Sequence, residues 1–420
     1  MGIGTFVNRP AQPATKTTLR TRTSTGDLIL IADVIALSIF GLLMLYSAST
    51  DFSLLTYGSP TTIFEKQLLW MVIGIGVAVL LSSIDYHIWR KLALPLMVVT
   101  VIALLAVLFN NEVRNNAVRT FLNGSGQPSE MAKVATIIYL SVWLYSKRES
   151  LHDIQLGLLP LGVILGVIGG LILREPDLSA AVTVFIMGGL LFFLAGGELR
   201  QIVLFTFVAL VVGWMVVSYT ATGQARIGPY LAGLKDPLKS SDHVLWSLEA
   251  VYKGKLFGVG IGQASTKLIG LPYAATDSIF AVVVEELGLF GAMVLISLYG
   301  VLLWRGLRIA AKAPDMLGSV MAAGLTFWIV IEAAINMAVM VGLMPFAGNA
   351  LPFVTGGGSN LIATLAAIGI LLGISRRSGQ KAPAENNKNE RRPYSASVDL
   401  RGRDRRRSVS RTRRPANRPG

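Results

Sequence analysis

Cysteine is missing from the 420-residue chain, which removes disulfides, thiolate nucleophiles and cysteine-held metals from the chemistry open to it. Histidine is scarce: His87, His152 and His243 stand far apart, without the spacing that builds a zinc site. Charge is scarce as well, at 15% of residues, against roughly a quarter in an ordinary soluble domain. What fills the chain instead is apolar: 53% of residues are hydrophobic and the mean hydropathy is +0.59. A water-soluble fold has nowhere to bury that much apolar surface.

Apolar runs of about 20 residues, the length needed to cross a bilayer, recur near 28–48, 67–84, 91–109, 131–146, 156–173, 178–196, 199–220, 277–304, 317–344 and 357–375. The pattern predicts an all-α integral membrane protein of about ten transmembrane helices, with one large hydrophilic extracellular loop over 221–276. Residues 1–26 are polar, with Pro10, Pro13 and four basic residues, and no small-residue cleavage site follows. The first helix is therefore read as retained, behind a disordered cytoplasmic tail. The membrane domain spans 27–376. Residues 377–420 form a second cytoplasmic tail, expected to be disordered because it has few large apolar residues.

Charge sets the expected orientation. The last 45 residues hold fifteen Lys/Arg and four Asp/Glu, eleven of the chain's net +14. With both termini cytoplasmic, each short inner connection is basic: Arg90/Lys91, Lys147/Arg148, Arg200 and Arg305/Arg308/Lys312. The 221–276 connection then lies outside. The basic tail reads first as a topology determinant, then as a contact for anionic membrane lipid or a cytoplasmic protein. Nucleic acid is disfavoured, because no aromatic or folded module accompanies the arginines. Connections at 110–130, 174–177, 221–276 and 345–358 are rich in Gly, Pro, Asn and charge, and gather at the outer end. No internal repeat suggests an inverted-repeat transporter.

The most informative stretch runs from Gly258-Val-Gly-Ile-Gly262 through Leu271-Pro272 and Thr276-Asp277 to Glu285-Glu286-Leu-Gly288. Its glycines are not a dinucleotide fingerprint: Gln263 stands where a third glycine would be needed, and no strand precedes them. Asp277 is expected in the first turn of a helix capped by Thr276, as cap or as chemical group. Glu285 and Glu286, two turns deeper, are costly in lipid and are expected to face the bundle interior. Arg119 and Gln127-Pro-Ser-Glu130-Met-Ala-Lys133 form a second group, with Glu130 and Lys133 spaced i, i+3 on one helix face. The pair is either glue or an anion site, and Arg174-Glu175-Pro176-Asp177 has the same two readings. Arg226 and Lys267 add positive charge outside, suited to a phosphate-bearing ligand.

Taken in order, Tyr46-Ser-Ala-Ser49, Ala117-x-Arg119, Gln127 to Lys133, Glu175-Pro-Asp-Leu178, Phe257 to Gly262, Leu271-Pro272, Thr276-Asp277, Glu285 to Gly288, Asn336, Gly342-Leu-x-Pro345, Leu351 to Val354 and Gly357-Gly-Ser359 resemble the SEDS family of FtsW/RodA peptidoglycan polymerases. The chain departs from the family pattern at Thr120, Ala275, Ser278, Trp246 and Thr355-Gly356. The glycine-rich segment and Lys267 look closer to the division member than to the elongation member.

The resemblance implies an inverting glycosyl transfer on lipid II, in which a sugar hydroxyl attacks C1 of the growing chain and undecaprenyl pyrophosphate leaves. Asp277 would be the base, and Arg119 and Lys133 would meet the phosphates, with Glu130, Arg226 and Lys267 as further substrate contacts. A divalent cation, Mg or Mn, is expected from the same resemblance. So are a class B penicillin-binding protein and other division machinery proteins as partners in the bacterial plasma membrane. A lipid II flippase and an inactive scaffold are the competing readings.

Overall fold

The computed structural model describes residues 25–109, 127–175 and 177–378. Both expected tails lie almost wholly outside these residues, as does Arg119. Thirteen α-helices are present: α1 (Thr25–Tyr57), α2 (Thr62–Ser83), α3 (Trp89–Phe109), α4 (Pro128–Ser146), α5 (Leu159–Arg174), α6 (Leu178–Leu194), α7 (Leu199–Tyr219), α8 (Ala221–Gly233), α9 (Asp242–Gly254), α10 (Thr266–Ile269), α11 (Ile279–Lys312), α12 (Met316–Met340) and α13 (Gly358–Arg377). No strand occurs among the described residues, as the bilayer demands of a chain that must satisfy its own backbone groups.

Each apolar run of the sequence became one helix, and among the described residues eight of these helices are by length and composition long and apolar enough to cross a membrane. The others are α4, whose face carries Glu130 and Lys133, and α6, which has only 17 residues. The core lies among α11, α12 and α13, whose apolar stretches are 67%, 67% and 83% buried, whereas that of α7 is 0% buried. Leu210 and Trp214 of α7 are accordingly exposed. In a membrane protein such a surface faces lipid.

The connection expected as a hydrophilic loop is mostly helix. In α9 the buried positions Val244, Ser247, Ala250 and Gly254 recur at helical spacing. Its charged residues point away from that stripe, which made the segment read as a loop. The connection is also sewn into the membrane domain. α11 breaks at Gly288 (φ 68°, ψ −167°), where a Cβ would lie 2.4 Å from the Gly258 nitrogen. A side chain is therefore excluded by both conformation and space.

At this break two helical hydrogen bonds are exchanged for four between segments. Leu289 and Phe290 donate to the carbonyls of Lys255 and Leu256 at 3.0 and 3.1 Å, while Val259 and Gly260 donate to those of Glu285 and Glu286 at 2.9 and 3.0 Å. The carbonyls of Glu285 and Glu286 and the N–H groups of Leu289 and Phe290, which lose each other as helical partners, are thereby paired again.

A second irregular segment, 341–357, dips back into the bundle between α12 and α13. Leu351, Phe353 and Val354 are buried, and a Cβ on Gly41 of α1 would meet the Phe353 carbonyl oxygen at 2.2 Å. Non-helical backbone at this depth survives only because protein surrounds it. Phe353 takes φ 70° and Tyr273 φ 52°, each costing on the order of 1–2 kcal/mol for an L-residue.

Candidate active site

Described residues of the four irregular connections are tied to one another by hydrogen bonds. The Gln127 backbone N–H donates to Ser359 Oγ at 2.9 Å. The Gln127 side-chain amide and the Ser129 hydroxyl donate to Asp177 Oδ2 at 3.0 and 3.1 Å, while Asp177 caps α6 through the Ala180 N–H. Arg226 donates to the Ala347 carbonyl at 3.0 Å. The gathering expected from composition is thus realised by specific bonds, and of the 174–177 group it is Asp177 that is bonded to the neighbouring helix.

Asp277 sits where this assembly opens to solvent. It does not lie in the first helical turn, and Thr276 is not the cap: Ser278 holds the N-cap position and α11 starts at Ile279. The Asn336 side-chain amide takes the Asp277 carbonyl at 2.8 Å, and Ala281 donates instead to Ser278. The helix therefore begins later, and Asp277 remains on a turn. The same Asn336 amide donates to the Asn349 carbonyl at 2.6 Å. Asp277 Oδ2 lies 3.4 Å from where a Cβ on Gly348 would stand, so the half-buried carboxylate packs on the 346–349 segment that Arg226 also grips.

Beside it opens a cavity of about 680 Å³, lined by Arg226, Lys239, Ser240, Asp242, His243 and Phe346 among others. His243 stacks on Phe346, ring centroids 3.8 Å apart, and its Nδ1 is 3.1 Å from Ser278 Oγ. Burial pushes its pKa down to about 4, against the attraction of Asp242. The ring is neutral at physiological pH.

One turn below Asn336 on α12 is Glu332, and it meets Lys133 of α4. Lys133 also binds Glu130 at 2.9 Å, and Asn360 donates to the other oxygen of Glu130 at 2.7 Å. Trp328 lies over the ammonium at 5.6 Å. Two carboxylates thus share one buried cation. Sequence reasoning found Glu130 and Lys133 but missed Glu332. The signal was a lone carboxylate inside an apolar helix.

Lys267 stands apart from this group. Its ammonium is 3.1 Å from Glu286 and donates to the Ser47 carbonyl at 2.9 Å, while the Ser47 hydroxyl donates to both Glu286 oxygens at 2.6 and 2.7 Å. Glu285 accepts from the Ser265 N–H at 2.9 Å and from the Thr266 hydroxyl. Both glutamates face inward as expected, and they fasten the glycine-rich segment. The site therefore brings together Asp277 and Arg226 around one segment, with Glu130 and Lys133 a turn deeper. The charge of Lys267 is spent on Glu286 rather than offered to the cavity.

Among the described residues no group of three or more His, Asp or Glu is arranged to hold a metal ion. A divalent cation would have to draw its oxygens largely from a bound ligand.

With this geometry in place, comparison with known proteins is informative. The family of FtsW, RodA and SpoVE cell cycle proteins matches residues 27–380. A protein of Trichlorobacter lovleyi called probable peptidoglycan glycosyltransferase FtsW is 36% identical over 353 residues, covering 83% of this chain and 93% of that one. Stage V sporulation protein E of Bacillus subtilis is 35% identical over 367 residues, covering 86% and 100%.

Among solved structures, a chain of a peptidoglycan synthase complex that couples polymerisation to crosslinking superposes with a TM-score of 0.70 at 26% identity, covering 84% of this chain and 98% of that one. The Thermus thermophilus rod shape determining protein RodA gives 0.62 at 25% identity, covering 84% and 97%. The chain thus belongs to the FtsW/RodA/SpoVE family, the same SEDS family that its motifs resemble.

Proposed function

We propose that this multi-pass membrane protein polymerises lipid II into glycan strands, in the division branch of the family, with Asp277 as the general base. It is a peptidoglycan glycosyltransferase, as its relatives' names describe them. The observation that carries the assignment of roles is the meeting of Arg226 and Asp277, from opposite ends of the 221–276 connection, on the segment 346–349 beside an open cavity.

Such a transfer needs a group to take the proton of the attacking hydroxyl and positive charge for the departing pyrophosphate. Asp277 is half-buried, and its backbone is held by Asn336. Arg226 and Lys239 bring cationic charge to the cavity walls, and Lys133 and Arg119 would complete the phosphate contacts. With one carboxylate as base, the displacement is direct and inverts C1. The termini and the basic tail lie in the cytoplasm of the bacterial cell, the cavity outside. A class B penicillin-binding protein supplies crosslinking, a reading supported by the likeness to a chain from a synthase complex.

The test is incubation of purified protein with labelled lipid II, with and without that partner. Glycan ladders from wild type and none from well-folded Asp277→Asn are expected. Near-normal ladders from Asp277→Asn would remove it as base, and movement of lipid II across the bilayer without ladders would favour a flippase.

A further inference from the structure

His243 belongs to none of the motifs that define the family resemblance, yet it is held more tightly than a surface histidine requires. It is the second residue of α9, and two rings stack with its own: Phe346 at 3.8 Å and 14°, Tyr273 at 5.7 Å and 4°. The stacked rings leave its edges to meet a ligand. One edge is fixed by the contact of Nδ1 with Ser278, a fully buried residue next to Asp277.

The other nitrogen, Nε2, makes no hydrogen bond to any described residue, and the residue lines the cavity. Tyr273, one of the two stacked rings, is in the left-handed region. Strain of this kind persists where the surroundings enforce it, often at ligand sites. The cavity's charges are otherwise supplied by Arg226, Lys239 and Asp242. The cations suit phosphate, and a neutral ring edge suits an uncharged hydroxyl or amide.

We propose that His243 is a saccharide-positioning residue: Nε2 hydrogen-bonds a hydroxyl or acetamido group of the sugar in the cavity, while Nδ1 and Ser278 keep the ring in register with Asp277. This rests on the reading of the cavity as the site for a lipid-linked sugar. The Ser278 hydroxyl can donate to or accept from Nδ1, so the ring can present Nε2 to the sugar as donor or as acceptor. The ring places the sugar and takes no proton in the reaction.

The test separates the sugar from its lipid pyrophosphate. Full-length protein carrying Asp277→Asn, in nanodiscs, is titrated with fluorescent lipid II and with undecaprenyl pyrophosphate, which has no sugar. His243→Phe keeps an aromatic ring in the stack and removes both nitrogens. It is expected to weaken lipid II binding at least tenfold, to leave undecaprenyl pyrophosphate within twofold, and to leave the melting temperature unchanged. His243→Gln, which carries an amide near the Nε2 position, is expected to recover part of the loss.

Equal weakening toward both probes would show a merely structural role and overturn the proposal, as would unchanged binding of both. Because binding is read in a background without Asp277, ladders surviving in Asp277→Asn protein would dismiss the base and leave the His243 result standing. Wild type that binds undecaprenyl pyrophosphate but gains nothing from the sugar would overturn both readings.

Discussion

Two buried ionic networks, about equally hidden from water, are built to opposite standards. Around Glu285 and Glu286 every carboxylate oxygen is matched: by Ser47 and Lys267 on one, by Ser265 and Thr266 on the other. Around Glu332 and Asn336 the matching fails. Oδ1 of Asn336 and a donor on Asn349 are buried without a hydrogen bond to any described residue, and two carboxylates share a single ammonium. Satisfied networks rigidify, while an unsatisfied polar group costs on the order of 1–3 kcal/mol and persists where something other than stability selects it. The first network is a fastening. The second lies one turn of α12 from Asp277's backbone, beside the site proposed above.

The largest expected effect lies at the opening of that second region. Asp277→Asn keeps shape and abolishes basicity, and should lower glycan synthesis by at least about a hundredfold without loss of folding or partner binding, read from ladders and melting curves. Next is the contrast in stability. Lys267→Met leaves Glu286 buried without its cation and should cost about 3–5 kcal/mol, seen as a large drop in melting temperature. Glu332→Gln removes an excess charge while Lys133 keeps Glu130; it should leave melting unchanged or raised and lower synthesis about tenfold. A drop in stability as large as that of Lys267→Met would erase the distinction between the networks.

A smaller effect is set by pH. His243 has a folded pKa near 4 against 6.5 for a free ring, so as pH falls the unfolded chain binds the proton first. Stability should be lost between about pH 6.5 and 4, with no contribution above, and His243→Phe should flatten that part of the melting profile. Least of all, removing residues 380–420 should leave synthesis by purified protein within about threefold, because that segment follows α13 in the chain and supplies none of the proposed site residues.

The helices were legible because a bilayer demands long apolar runs, and each run became one helix. What the sequence concealed depended on partners distant in the chain. Glu332 hid inside a run that reads as a plain span, and its partner Lys133 is 199 positions away. Thr276 looked like a better cap than Ser278 until Asn336, 59 residues from Asp277, claimed that carbonyl. The charges of α9 masked a helix that packs through small residues. Glu130 with Lys133 could be found because i, i+3 spacing is local, and Lys267 was misjudged because nothing in its neighbourhood announced Ser47.

The hydrogen-bond exchange at Gly288 also settles what counts as an interchangeable part in this protein. Since residues 255–260 and 285–290 complete each other's backbone, no boundary for splicing can be drawn between the connection and the helix that follows. A hybrid that imports a relative's segment 221–276 alone would inherit half of a joint. The natural unit of recombination runs to about residue 290, and descent should have carried the Asp277 turn and its supporting kink as one piece.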